Sequence, residues 1–318
     1  MYRHSRLAAV LGCALAFAVA GCASNSAMTP AAGGPAASAL VQSGAAGWIH
    51  SGGVVYHTPK YMVTRSNVTP AVSGILFNYY GGVVLTAPKT YLILWGYKKY
   101  GDPDGVAKLL QSYLKSMGGS PYTNIYTQYY QDISNKKTMI TNPKKQFGGV
   151  WDDETDAVPS SPTDAQVAAE SLLGVSHFGY NANGSYIVAT PTGHSSSGFG
   201  TSWCAYHSDT FSGSKMVSYT NLPYMPDAPN QGQNCGSNII TAPSDESGTD
   251  EGVTIVEGHE YGESVTDPNP GSGWYNGSAG EIGDACAWFN IQNDKFRKKT
   301  YTAQPMYSNA SESCVHSY

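Results

Sequence analysis

Short apolar runs that favour β structure alternate along the chain with apolar residues at helical spacing. Gly82-Val83-Val84-Leu85-Thr86 and Thr90-Tyr91-Leu92-Ile93-Leu94-Trp95 read as buried strands, split by Ala87-Pro88. Between Gly105 and Met117, Val106, Leu109, Leu110, Tyr113 and Leu114 recur on one helical face; Asp104 is the expected cap and Gly118-Gly119 the stop. Thr163 or Asp164 opens a second helix through Leu173. Ser185 to Thr190, Trp203 to His207 and Met216 to Thr220 read as further strands. A third helix, about four turns long, follows Thr249 or Asp250, with acids in its first turn and Pro268 at its end. The mixture predicts an α+β domain in which a mixed sheet supports that last helix.

Composition moves the picture outside the cytosol. Of 318 residues only 18 are Lys or Arg and 23 Asp or Glu, whereas Gly (36), Tyr (23) and Pro (18) abound, so tyrosines and turns stand where cytosolic proteins carry charge. The formal charge is −5 and the single basic cluster is short (Lys295, Arg297, Lys298, Lys299), which excludes a nucleic-acid footprint. Arg3 and Arg6 precede an apolar run from Leu7 to Ala20, right for a signal-peptide core and too short for a membrane span.

That run ends in Val19-Ala20-Gly21-Cys22, which is similar to a bacterial lipobox; the plain alternative is an ordinary signal peptide with a chance cysteine. Residues 1–21 are thus expected to be a lipoprotein signal, with Cys22 as the lipidated residue. Acyl chains there would hold the protein at the envelope by ~0.8 kcal/mol per buried methylene, and no later segment is apolar enough to span a bilayer. Residues 22–46 are Ala, Ser, Gly and Pro almost throughout and carry no charge, a disordered tether. Residues 47–318 suffice for a single large domain.

Beyond Cys13 and Cys22, the mature chain keeps Cys204, Cys235, Cys286 and Cys314, an even number suited to an oxidising compartment. Three connectivities are open. Order along the chain favours Cys204–Cys235 and Cys286–Cys314, and the absence of a Cys-x-x-Cys pair argues against zinc held by these cysteines.

The last helix carries the chemistry. Ile255, His259, Glu263 and Thr266 fall along one of its faces, and an imidazole and a carboxylate four residues apart can hold one metal ion. Glu260, about 100° further round, is placed to act as a general base on water, as in the His-Glu-x-x-His helices of zinc peptidases. Here Glu263 replaces the second histidine, giving a harder ligand set. Glu281 and Asp284, three apart, would share a face if helical and either offers a third ligand; His177 or His207 could supply a neutral nitrogen. The plain alternative is a core His259 hydrogen-bonded to Glu263.

The stretch His259-Glu260-Tyr261-Gly262-Glu263, followed by Thr266-Asp267-Pro268, Gly273-Trp274-Tyr275 and Gly280-Glu281-Ile282-Gly283-Asp284-x-Cys286-Ala287-Trp288, resembles secreted bacterial relatives of the plant exordium, or phosphate-induced protein, family. Tyr79-Tyr80-Gly81-Gly82-Val83-Val84-Leu85-Thr86, Tyr91 to Gly96, Gly198 to Thr201 and Cys204-Ala205-Tyr206-His207 carry the resemblance across Tyr79 to Cys314. It implies a cell-wall or envelope location, and the bacterial branch's His-Glu-x-x-Glu helix looks like that of a metallopeptidase with zincin-like architecture.

The expected function is therefore an exported, envelope-anchored zinc peptidase or hydrolase acting on a polypeptide, with Glu260 as base and His259, Glu263 and Glu281 or Asp284 as ligands. The alternative is a non-catalytic protein binding carbohydrate or a wall polymer, for which Tyr122, Tyr126, Tyr129 and Tyr130 could form a stacking platform. Acidic clusters at Trp151-Asp152-Asp153-Glu154-x-Asp156 and Asp245-Glu246-x-x-x-Asp250-Glu251 suit calcium without completing a loop motif. His194, beside Ser195 to Ser197, lacks the elbow of a serine hydrolase.

Overall fold

Eight strands meet in one mixed sheet in the computed structural model, which describes residues 47–68 and 73–318. The expected signal, Cys22 and the tether lie outside the described residues. The strands are β1 (Trp48–Ser51), β2 (Val54–His57), β3 (Lys60–Val63), β4 (Lys89–Trp95), β5 (Phe147–Asp153), β6 (Gly184–Ala189), β7 (Trp203–Ser212) and β8 (Lys215–Leu222). Their order is β1-β2-β7-β8-β6-β4-β5, with β3 also paired to β7. The β8-β6-β4-β5 half is parallel and the rest antiparallel. Four two-stranded pairs stand apart from it, among them Gln292–Phe296 with Lys299–Ala303.

Helices α1 (Val106–Met117) and α2 (Asp164–Phe178) make the crossovers that parallel strands require, α1 between β4 and β5 and α2 between β5 and β6. Thr163 and Gln166 form a reciprocal capping box on α2. The start of α1 differs from expectation. Asp102 caps it, accepting from the Val106 and Ala107 N–H groups at 2.8 and 3.0 Å, while Asp104 accepts from the Tyr224 hydroxyl. Gly105 makes the turn at φ +80°, and the cap comes from two residues further back than helical spacing alone suggested.

Gly82–Thr86 is not a strand. Its backbone is claimed by unrelated partners, the Leu85 N–H by the Val265 carbonyl and the Val84 N–H by Gln131 Oε1, leaving no ladder to extend. The nearby strand is Asn78–Tyr79, paired with Trp274–Tyr275.

Helix α3 (Glu251–Thr266) is buried on every side. Asp250 occupies its N-cap position without capping it; the carboxylate accepts from Ser247 Oγ instead. Glycines admit the neighbours: a Cβ on Gly252 would stand 2.0 Å from the Cys235 carbonyl, and one on Gly258 2.6 Å from the Tyr113 hydroxyl. Adjacent residues of β7 show that α2 and α3 cover opposite faces of the sheet. Tyr206 reaches Asp164 of α2 at 3.0 Å while His207 reaches Glu260 of α3 at 3.4 Å.

Two disulfides, Cys204–Cys235 and Cys286–Cys314, join residues 31 and 28 positions apart. Each removes roughly 3–4 kcal/mol of unfolded-chain entropy.

One buried carboxyl pair gives a stability prediction. Burial, and then the adjacent Asp153, push Glu170 up to about 9. Below the ordinary carboxylate range both the folded and unfolded chains hold this proton. Between that range and 9 only the folded chain does, so this contribution to stability is lost as pH rises. Glu170→Gln should therefore raise stability by on the order of 2 kcal/mol at pH 8 and by little at pH 4. Melting curves at the two pH values check it; an equal shift at both would contradict the assignment.

Candidate metal centre

Residues from three segments converge on the middle of α3. On the helix itself, His259 Nε2 lies 3.2 Å from Glu263 Oε1, the i, i+4 contact expected from the sequence. From β7, His207 Nδ1 lies 3.4 Å from Glu260 Oε2 and 3.5 Å from Glu263 Oε2. From the turn that Cys286–Cys314 anchors, Glu281 Oε1 lies 3.3 Å from His207 Nε2, and Asp284 Oδ1 lies 3.8 Å from His259 Nε2.

Glu281 and Asp284 do not share a helical face. Helical structure begins only at Asp284, as a single 3-10 turn to Cys286, and the Glu281 N–H donates to Asp284 Oδ2 at 3.2 Å. The two carboxylates are consequently divided, Glu281 to His207 and Asp284 to His259. The Asp284 N–H also donates to Glu263 Oε1 at 2.9 Å, fixing that carboxylate from the far side.

Of the two further histidines considered as ligands, His207 belongs to the cluster and His177 does not; the latter stacks on Trp151 at 4.5 Å. His194 packs against the Tyr100 ring. Gln304, which carried no signal in the sequence, lies with its Nε2 3.1 Å from His259 Nδ1 and 3.0 Å from the Gly283 carbonyl, holding the imidazole in place.

The electrostatics are severe. His207, His259, Glu260 and Glu281 are wholly buried and Glu263 nearly so. Burial raises Glu281 well above the carboxylate range, and Glu260 less far. Burial and then Glu263 lift Asp284 to about 7. Burial is the largest single influence on the histidines and works against their charge, but Glu263, Glu260 and Asp284 together outweigh it at His259, bringing that ring to about 9, and Glu281, Glu260 and Glu263 together outweigh it at His207. Glu263 runs the other way: despite its burial, His259 and His207 hold it well below the usual range.

With protein groups alone, the imidazoles are the counter-charges, and they leave several atoms without hydrogen-bond partners: His259 Nε2, Glu260 Oε1 and both oxygens of Glu281. Orphaned buried polar atoms of this kind each cost on the order of 1–3 kcal/mol. A cation removes that cost by taking their lone pairs. Among the described residues, two groups have ligand atoms close enough to hold one: His259-Glu260-Glu263 and His207-Glu263-Glu281. Zinc with bonds of about 2.0–2.2 Å separates its ligand atoms by roughly 3.3–3.5 Å. The spacings of Glu263 from His259 and His207 match this.

The cluster approaches solvent at one point. Asp284 has 30 % of its side-chain surface exposed and forms part of a surface cleft of about 240 Å³ with Tyr61, Val63, Asn67, Ser278 and Gly280.

The other sequence candidates are engaged elsewhere. Asp245 pairs with Lys299 at 2.8 Å, Glu246 accepts from the Thr302 N–H, Glu251 from the Ile239 and Ile240 N–H groups, and Asp152 pairs with Lys98. These four acids are satisfied by protein donors, while Asp153 Oδ2 and Asp250 Oδ1 of the same clusters have no hydrogen-bond partner. Tyr122, Tyr126 and Tyr129 are fully buried around α3, and only Tyr130 is part-exposed. They are core, and the stacking platform is not there.

No family model, curated protein or solved structure matches this chain.

Proposed function

We propose that this protein is an exported metal-dependent hydrolase, a peptidase by the form of its helix, tied to the cell envelope through Cys22. The observation that carries the reading is the convergence of His259 Nε2, Glu263 Oε1 and Asp284 Oδ1 where Asp284 meets the surface cleft. On this reading His259 and Glu263 hold zinc, and Asp284, whose Oδ1 now stands 3.8 Å from His259 Nε2, closes in as the third ligand, in place of the Glu281 that the sequence left as an equal choice. Its likeness to a zincin helix, and the resemblance to exordium-like bacterial proteins, support the same reading.

Bound there, zinc would supply Lewis acidity and lower the pKa of a coordinated water. The chain's own residues supply the rest. Glu260, one residue beyond His259, accepts the water's proton and returns it to the departing amine. Gln304 steadies His259 through Nδ1, and the Asp284 N–H steadies Glu263. Asp284 places the site at the cleft, where an extended polypeptide can lie along Tyr61, Val63 and Asn67.

The test is elemental analysis of the full chain, together with cleavage of a denatured-protein mixture. The expected result is zinc in the parent, with both zinc and hydrolysis lost in His259→Ala. A metal-free, inactive parent sinks the proposal. The complete burial of Glu260 favours one second reading, a wall-binding protein with a structural metal. Metal retained by the parent with no hydrolysis of protein substrates selects that one.

Location is tested separately. The parent should fractionate with membranes and Cys22→Ser should not. Identical fractionation of the two would remove the lipid anchor.

A further inference from the structure

We propose that the centre takes two divalent cations rather than one, the second held by His207, Glu263 and Glu281, with Glu263 bridging the pair. The proposal rests on the hydrolase reading only for the first ion; the second stands on its own atoms.

The two oxygens of Glu263 point to different histidines, Oε1 to His259 at 3.2 Å and Oε2 to His207 at 3.5 Å. A carboxylate placed between two imidazoles in this way has the form of a bridge between two ions. Around His207 the ligand atoms of Glu263 and Glu281 lie close enough together for one ion, and Glu260 Oε2 stands 3.4 Å from the same Nδ1.

The ring's two nitrogens have distinct surroundings. Nε2 is 3.2 Å from the Asp267 carbonyl and 3.3 Å from Glu281 Oε1, and an Nε2–H donated to the carbonyl leaves the lone pair of Nδ1 free for a metal, toward which Glu281 must turn from the Nε2 side. Glu281 is the independent sign of a missing partner: its side chain is wholly buried, and neither oxygen has a hydrogen bond.

Charge leads to the same arrangement. One divalent ion at His259 leaves Glu260, Glu263, Glu281 and Asp284, four carboxylates, facing two positive charges, with a fifth, Asp267, already held by the Gly271, Ser272 and Gly273 N–H groups. A second ion balances them with both imidazoles neutral, the form in which they ligate. The rival is a protonated His207 that serves as the second charge, with one proton shared between Glu281 and its neighbour Asp267. Two adjacent ions would let the centre bind the attacking and departing groups of a hydrolysed bond at once.

The experiment is titration of the chelator-stripped full chain with Mn²⁺, read by bound-metal stoichiometry and by electron paramagnetic resonance, for the parent and for Glu281→Gln. Expected are two ions per chain in the parent with a spin-coupled spectrum, and one uncoupled ion in Glu281→Gln. A single ion in the parent, unchanged in Glu281→Gln, overturns the second site and leaves the hydrolase reading intact. No bound metal in the parent overturns both. Two ions without spin coupling overturn the Glu263 bridge. Circular dichroism establishes that the variant is folded; if it is not, the parent's stoichiometry and coupling decide.

Discussion

Glu260→Gln should lower peptide hydrolysis by about 10²–10⁴-fold while leaving the fold in place and at least one metal ion bound. The amide occupies nearly the volume of the carboxylate, so packing against α3's surroundings is kept. It cannot accept the water's proton, so the chemical step loses its base. Glu260 Oε1 has no hydrogen-bond partner and burial raises its pKa, which brings its proton affinity toward the operating range of a general base. Removing that buried charge also leaves folding stability unharmed or improved, because a buried carboxylate with one unpartnered oxygen is replaced by a neutral group. The measurement is kcat/KM beside zinc content for the parent and the variant. Unchanged kcat/KM in a metal-loaded Glu260→Gln would take the base away from Glu260.

Gly283→Ala should weaken metal binding by roughly 10–100-fold without unfolding the protein. A Cβ built on Gly283 would meet Glu263 Oε1 at 2.8 Å, His259 Nδ1 at 2.9 Å and His259 Cε1 at 3.0 Å. All three are side-chain atoms of the proposed centre. The residue sits at φ −80° and ψ −43°, where alanine is unstrained, so the cost falls on the ligands and not on the backbone. The methyl must push the imidazole and the carboxylate out of register, and metal sites tolerate such shifts poorly. Competition with a chromophoric chelator measures the affinity, and a thermal melt of the stripped protein checks the fold. Equal affinity in parent and variant would show that zinc is not bound between His259 and Glu263. Gly252→Ala is the contrast: its methyl would strike the Cys235 backbone, so it should destabilise the whole protein and not the site alone.

Local patterns were reliable wherever the chain's own neighbours set the structure. Thr163 announced α2, helical spacing announced α1, first-turn acids and Pro268 announced α3, and short apolar β-favouring runs announced β4, β6, β7 and β8. The His259–Glu263 contact was readable too, because four residues of helix fix its geometry. The disulfides follow the order of the cysteines along the chain. Errors arose where backbone groups find distant partners. Gly82–Thr86 has strand-like residues but gives its hydrogen bonds to Val265 and Gln131, and the tyrosines near Tyr126 are amphipathic side chains whose burial depends on the glycines of α3.

The sequence by itself determined the α+β alternation and the helix that carries His259, Glu260 and Glu263, since each depends on residues within a few positions of one another. Tertiary structure alone decided the rest of the centre. His207 comes from a strand 52 residues before His259, and it reaches α3 because alternate residues of β7 face opposite sides of the sheet. Gln304 arrives from the far end of a hairpin, and Glu281 and Asp284 part company because the turn they share is not a helix. Spacing along a chain fixes geometry only inside a regular element. Between elements, the pairing of carboxylates with histidines is set by how sheet, helix and disulfide-anchored turn pack, and by the demand that charges buried together be balanced.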